Sequence, residues 1–208
     1  MMSSLTFTLK SEPAFKLNCS RLTPNNLAGL SITQISNLHF TSSKNSPKVS
    51  DYFDVSGTDT ENIVFKNPCS QLDFIGHKMS LGSIICQGNA GDRVGDQMRR
   101  GLILIDGDAG DYAASRMVAG TIGVYGSVGK YVGFGMKRGT VLLNRKTDFH
   151  VTIQDCGTHN LPFLALLFQS FKVLPSKFNN VKCQRVQRFA GDLACNGNGN
   201  GEILVLSP

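Results

Sequence analysis

Tryptophan is absent from the 208-residue chain, and charged residues make up only 17% of it. With 41% hydrophobic residues beside so little charge, the composition excludes a disordered polyelectrolyte and describes a chain able to bury a core. Long apolar runs are missing too. No segment approaches the roughly eighteen consecutive apolar residues of a spanning helix. The start, MMSSLTFTLKSEPAFKL, has neither the basic region nor the long apolar stretch of an export signal. The expectation is a cytoplasmic protein without membrane association. Cys19, Cys69, Cys86, Cys156, Cys183 and Cys195 stand singly, with no CxxC pair and no zinc-finger spacing, and read as reduced thiols. His39, His77, His150 and His159 form no HExxH or HxH pair, so no metal site is expected.

What the chain does have is glycine, 22 residues of it, which favours tight turns and β structure over long helices. The glycines recur with methionine. Met79, Met98, Met117 and Met136 are spaced by nineteen residues, as are Gly82, Gly101, Gly120 and Gly139. Each copy is led by Gly76, Gly95, Ala114 or Gly133, and Gly88, Gly107, Gly126 and then Gly91, Gly110, Gly129 complete the pattern. Between the glycines run SIICQ, LILID, TIGVY and TVLLN, four β-branched strands.

A uniform nineteen-residue period of strand and glycine turns predicts an all-β, right-handed parallel β-helix, a single-stranded solenoid of 19-residue coils with short helical capping elements. Equivalent residues would lie about 4.8 Å apart in ladders. Met79, Met98, Met117 and Met136 would then fill the interior beside Ile84, Ile103 and Ile122, with Gly82, Gly101, Gly120 and Gly139 at the corners.

Three parts of one domain follow. Residues 1–50 read as a lead-in and cap, with the LTFTL strand, a helix start at Thr23-Pro24 and a Ser31-to-Gln34 capping box. The repeat occupies 51–143, beginning with a degenerate copy at NIVFKNPCSQLDFIG after the polar loop 41–51. Residues 144–208 hold a helix and a closing strand. The helix would start at an Asn160 cap, present Phe163, Leu164, Leu167, Phe168 and Phe171 on one face, and cover the solenoid's open end. A glycine-asparagine turn, CNGNGNG, would precede the strand.

The net charge of +6 is concentrated late: residues 76–143 carry eight basic and five acidic groups, and 144–208 carry seven and four. Such an excess attracts acidic partners in general. Nucleotide-loop readings fail on spacing, because no GK[ST] occurs and GFGMKRG at 133–139 is followed by a strand. Basic pairs do follow alternate methionines, Arg99-Arg100 and Lys137-Arg138. They form either a ridge that holds an anionic partner or a solvated face locally paired to Asp96, Asp106, Asp108 and Asp111. Aromatics do not interleave with them, which disfavours nucleic acid. No GxSxG elbow is present, Cys156 near His159 reads as structural, and no catalytic residues are expected. Asp92 and Asp111, at equivalent places, read as turn residues.

GDRVGDQMRRGLILIDGDAGDYAASRMVAGTIGVYGSVGKYVGFGMKRGTVLL resembles the C-type subunit of formylmethanofuran dehydrogenase, and its repeat is similar to the β-helical C-terminal domain of glutamate synthase. LTFTLK, LTPNNLAGLS, FIGHKM, DCGTHNLPFLALLF and GDLACNGNGNGEILVL resemble the bacterial type, found in the formyltransferase/hydrolase complex of methylotrophs. The resemblance implies a noncatalytic subunit that binds no cofactor itself and assembles with the other subunits. That complex passes a formyl group from tetrahydromethanopterin to a methanofuran-type carrier and releases formate. The resemblance also gives Arg99, Arg100, Lys137 and Arg138 a candidate ligand, the anionic polyglutamyl carrier. One departure from the family is a repeat shorter by a few coils near Gly88. The other reading is a stand-alone β-helix binding module related to the glutamate synthase domain.

Overall fold

The computed structural model describes residues 3–43, 45–194 and 200–206. Cys195 and most of the glycine-asparagine turn lie outside them. In chain order the elements are β1 (Ser4–Leu9), β2 (Leu17–Asn18), α1 (Pro24–Leu27), α2 (Ile32–Ser36), α3 (Val49–Tyr52), β3 (Phe53–Ser56), β4 (Asp59–Lys66) and β5 (Leu72–Asp73). Then follow β6 (Ser83–Gln87), β7 (Leu102–Ile105), β8 (Thr121–Val124), β9 (Gly139–Leu143), β10 (Gln154–Asn160), α4 (Phe163–Phe171), a 3-10 turn at Lys177–Asn180, β11 (Arg185–Gly191) and β12 (Gly201–Val205).

The expected right-handed parallel β-helix is not what these strands build. Ten of them form one mixed sheet in the order β10-β11-β12-β9-β8-β7-β6-β4-β1-β3. β1 pairs antiparallel with β3, and β10, β11 and β12 pair antiparallel in succession. The physical reason lies outside the repeat. Segments without the repeated glycines reverse direction and pair with a neighbour, so both ends of the sheet carry strands that a single-stranded solenoid would not.

Within the sheet the nineteen-residue spacing does set the register: Ile84, Ile103, Ile122 and Val141 stand side by side in parallel strands. The degenerate copy joins with a spacing of 21, Ile63 opposite Ile84. β12 then takes the place beside β9, Ile203 opposite Val141. Alternation along each strand sorts side chains to two faces. Ile84, Ile103, Ile122, Val141 and Ile203 enter the main core with Met79, Met98, Met117 and Met136, all buried. Ile85, Leu104, Leu142 and Leu204 point to the other face.

α4 covers that second face instead of the sheet's edge, burying Leu164, Phe168 and Phe171 against it, with Phe178 of the 3-10 turn. Burial of each such side chain is worth about 1.5–3 kcal/mol. Asn160 belongs to β10, and the residue preceding α4 is Pro162. Gly123 of β8 is what admits Phe178. A Cβ there would stand 2.8 Å from Phe178 Cζ and from Leu104 Cδ2. In the lead-in, the Ser31 hydroxyl accepts from the Gln34 amide and the Gln34 side chain from the Ser31 amide, the reciprocal cap its sequence predicts.

Gly101, Gly120 and Gly139 adopt φ of 104°, 106° and 102°. A Cβ at these positions would meet the carbonyl of the glycine one copy earlier and the methyl of Met79, Met98 or Met117 within 2.9 Å. The methionine thus lies against the glycine for lack of a side chain, and its own carbonyl accepts the amides of Arg99, Val118 and Lys137, twenty residues on.

Candidate functional site

The loops between the strands repeat as regularly as the strands. Lys78, Gln97 and Arg116 donate their amides to the carbonyls of Asp96, Ser115 and Phe134, so equivalent loop residues form columns. One column shows how: Asp73 Oδ1 accepts the Asp92 amide, Asp92 Oδ1 the Asp111 amide and Asp111 Oδ1 the Lys130 amide, at 2.7–2.9 Å. Asp92 and Asp111 are therefore turn-capping acceptors.

A second column consists of planar groups. Phe74, Arg93, Tyr112, Tyr131 and His150 follow one another at nineteen residues. The Arg93 guanidinium lies 5.6 Å from the Phe74 ring centroid and 4.9 Å from that of Tyr112. Tyr112 stacks on Tyr131 at 4.9 Å and 17°, and Tyr131 meets His150 at 5.6 Å. Such contacts are worth on the order of 1 kcal/mol each. The first four members hold φ near +60°.

Beside these columns a groove of about 450 Å³ is lined by Gln97, Arg99, Arg116, Val118, Phe134, Gly135 and Lys137. Of the four basic residues singled out in the sequence, Arg99 and Lys137 face it. Arg100 and Arg138 are exposed next to them but do not line it. Among the described residues, none of the four side chains has a hydrogen bond or ion pair. The acids that could have paired with them are engaged elsewhere. Asp106 accepts from Ser176 Oγ and the Lys177 amide, and Asp108 from the Ser127 amide.

Asp96 is the centre of a network that sequence reasoning missed. Its carboxylate is wholly buried and accepts from Ser115 Oγ at 2.7 Å, from Arg116 Nε and Nη2 at 3.0 and 2.8 Å, and from Gln97 Nε2 at 3.1 Å. Burial alone would raise its pKa, but the hydrogen bonds from Ser115, Gln97 and Arg116 and the Arg116 charge prevail and hold it below the ordinary aspartate value. Burial also holds the His77 imidazole below its ordinary pKa, outweighing the opposite pull of Asp96. His77 Nδ1 lies 3.0 Å from Asp96 Oδ2. An ionised carboxylate only accepts, so Nδ1 carries the proton. The signal for this network was in the columns: Asp96 and Ser115 are one period apart, and Arg116 follows directly. Because Arg116 is already paired, Arg99 and Lys137 supply the groove's free positive charge.

Among the described residues no cysteine thiol is hydrogen-bonded to a histidine. His159 Nε2 contacts the Cys156 carbonyl at 2.8 Å and not its thiol, and burial pushes the Cys19 and Cys86 thiols up. Among the described residues no three His, Cys, Asp or Glu side chains converge as metal ligands, and no helix is long and apolar enough to cross a membrane.

No family model matches the chain. It is nonetheless similar to the C-type subunits of the formylmethanofuran dehydrogenases, the resemblance its repeat displays. The C-type subunit of the tungsten-containing formylmethanofuran dehydrogenase 2 of Methanococcus maripaludis is 29% identical over 92 residues, 43% of this chain and 34% of the relative. The corresponding protein of Methanothermobacter wolfeii is 31% identical over 93 residues, 42% and 34% of the two chains. The matches thus span about a third of these relatives. Among solved structures, the chain resembles one in the formyltransferase/hydrolase complex FhcABCD of Methylorubrum extorquens, determined in complex with methylofuran. It does so with a TM-score of 0.54 and 25% identity, over 98% of this chain and 100% of that one.

Proposed function

We propose that the chain is the noncatalytic, structural C-type subunit of a formyltransferase/hydrolase complex of the formylmethanofuran dehydrogenase type. Its place would be the cytoplasmic, tetrahydromethanopterin-linked route from formaldehyde to formate. The end-to-end structural likeness to a chain of the Methylorubrum extorquens complex carries this reading. In it, the lead-in 1–50, the repeat 51–143 and the closing segment 144–208 act as one domain.

The test is purification of the tagged chain from its native cells. Formyltransferase and amidohydrolase-like subunits at fixed stoichiometry are the expected companions. A lone monodisperse chain overturns the assignment and leaves the stand-alone binding module.

Within the assembly, the basic groove guides the anionic polyglutamyl tail of a methanofuran-type carrier. The support is chemical: Arg99 and Lys137 offer unpaired cations over a surface that also holds Phe134 and Val118, with Arg100 and Arg138 extending the field. Changing Arg99, Arg100, Lys137 and Arg138 together to glutamate is expected to slow formyl transfer at least tenfold in the assembled complex. Unchanged turnover with intact assembly would remove the carrier role.

A further inference from the structure

α4 leaves large apolar side chains exposed as well as buried. Its inner face buries Leu164, Phe168 and Phe171, yet Phe163, Leu166 and, just past its end, Val173 are 42%, 78% and 87% exposed. At helical spacing these three fall on the side turned away from the sheet. Gln169 and Ser170 are exposed on the same side, so the outer face is mixed, but large apolar side chains grouped along one element mark a contact surface where single scattered ones do not.

The surrounding charge says what covers them. From Cys156 to Gly191 the chain contains Lys172, Lys177, Lys182, Arg185 and Arg188 and no aspartate or glutamate. Lys172 and Lys182 are exposed beside the helix and line an adjoining groove of about 360 Å³ with Ala165, Phe168, Gln169 and Gln184. A second copy placed here through a two-fold contact would set these lysines against themselves.

We propose that the outer face of α4 is the docking site for a different polypeptide, one that presents an apolar pocket for Leu166 and Val173 rimmed by carboxylates for Lys172 and Lys182. This names the contact through which the proposed assembly holds the chain, and it rests on that assignment for the existence of a partner. The groove beside α4 shares no lining residue with the basic groove, so the two surfaces are distinct. Apolar anchors ringed by charges of opposite sign give an interface both affinity and orientation.

The experiment compares the tagged full chain with its Leu166→Glu/Val173→Glu variant, each purified from native cells. Stoichiometric partners are identified by mass spectrometry, and thermal unfolding of the isolated chains monitors the fold. Both side chains are solvent-facing, so melting is expected to stay within a few degrees. The expected result is that the wild type retains a partner with an acidic contact surface and the variant loses at least nine-tenths of it. A Lys172→Glu/Lys182→Glu variant should weaken the same partner's retention and make it less salt-sensitive. Equal retention by wild type and the apolar variant overturns the proposal, as does a wild type found alone or as a homodimer. If the lost partner is neither a formyltransferase nor an amidohydrolase type, the docking face stands and the functional assignment falls.

Discussion

Ala114 holds φ 60° at the position where the other copies have Gly76, Gly95 and Gly133. A Cβ on Gly76 or Gly95 would run into the Cδ1 of Ile103 or Ile122 at 2.2 Å. The residue 27 positions beyond Ala114 is Val141, which has no Cδ1. The repeat therefore exchanges one methyl for another between a loop and the strand 27 residues on. Val141→Ile alone is expected to cost about 1–3 kcal/mol through overpacking, and adding Ala114→Gly should restore part of it, a coupling readable in thermal or urea unfolding. Additive losses would disprove the pairing. Asp96 makes a second prediction at this scale. Asp96→Asn should cost about 1.5–3 kcal/mol by weakening charged hydrogen bonds from Ser115 and Arg116.

The pH dependence follows from the same network. The His77 pKa is lower in the fold than the ordinary 6.5, so below about that pH the unfolded chain takes up the proton first and stability falls. The Asp96 contribution, present above the ordinary aspartate pKa, is lost further into acid as pH falls through its depressed value. His77→Gln should flatten the melting curve's dependence on pH just below 6.5 while leaving the lower step in place.

Among the elements, the strands of the repeat were the most legible part: SIICQ, LILID, TIGVY and TVLLN match β6 to β9 to within one residue at each end, because β-branched runs and glycine boundaries are local signals. What the helix and the terminal strands do was not legible, since that depends on which surface lies nearest after the chain reverses. Asp106 illustrates the difference. In sequence it is one acid among several. In the fold it accepts from Ser176 Oγ and the Lys177 amide and fixes the turn that carries Phe178. Asp106→Ala should therefore raise hydrogen exchange at Lys177 to Val181 more than in β6 to β9. Gly123→Val, acting on the same ring from the sheet side, should lower stability by about 1–3 kcal/mol and release the same segment. Uniform exchange changes in both variants would show that the turn is not held from these two points.

For the whole molecule, the repeat predicted a solenoid, but the antiparallel strands at both ends make the structure one mixed sheet with a helix laid across it. Sequence periodicity reports what equivalent segments do next to each other and is silent on how the series stops. The site divides in the same way. Arg99 and Lys137 were visible one residue at a time, whereas the groove they line, the pairing of Arg116 with Asp96 and the stacking of Arg93 between Phe74 and Tyr112 exist only once the columns align. The sheet's edge strand β10 is largely exposed along its length, so its amides should exchange well before those of β7 and β8. The backbone bonds linking each loop to the next nineteen residues on also act as a ruler. Inserting one complete copy after β7 would lengthen the groove by a single step of about 4.8 Å and leave every inward side chain inward. An insertion of eighteen or twenty residues would turn the following strand over unless a loop took up the difference. The groove thus lengthens most readily in whole increments, each adding its own set of positions.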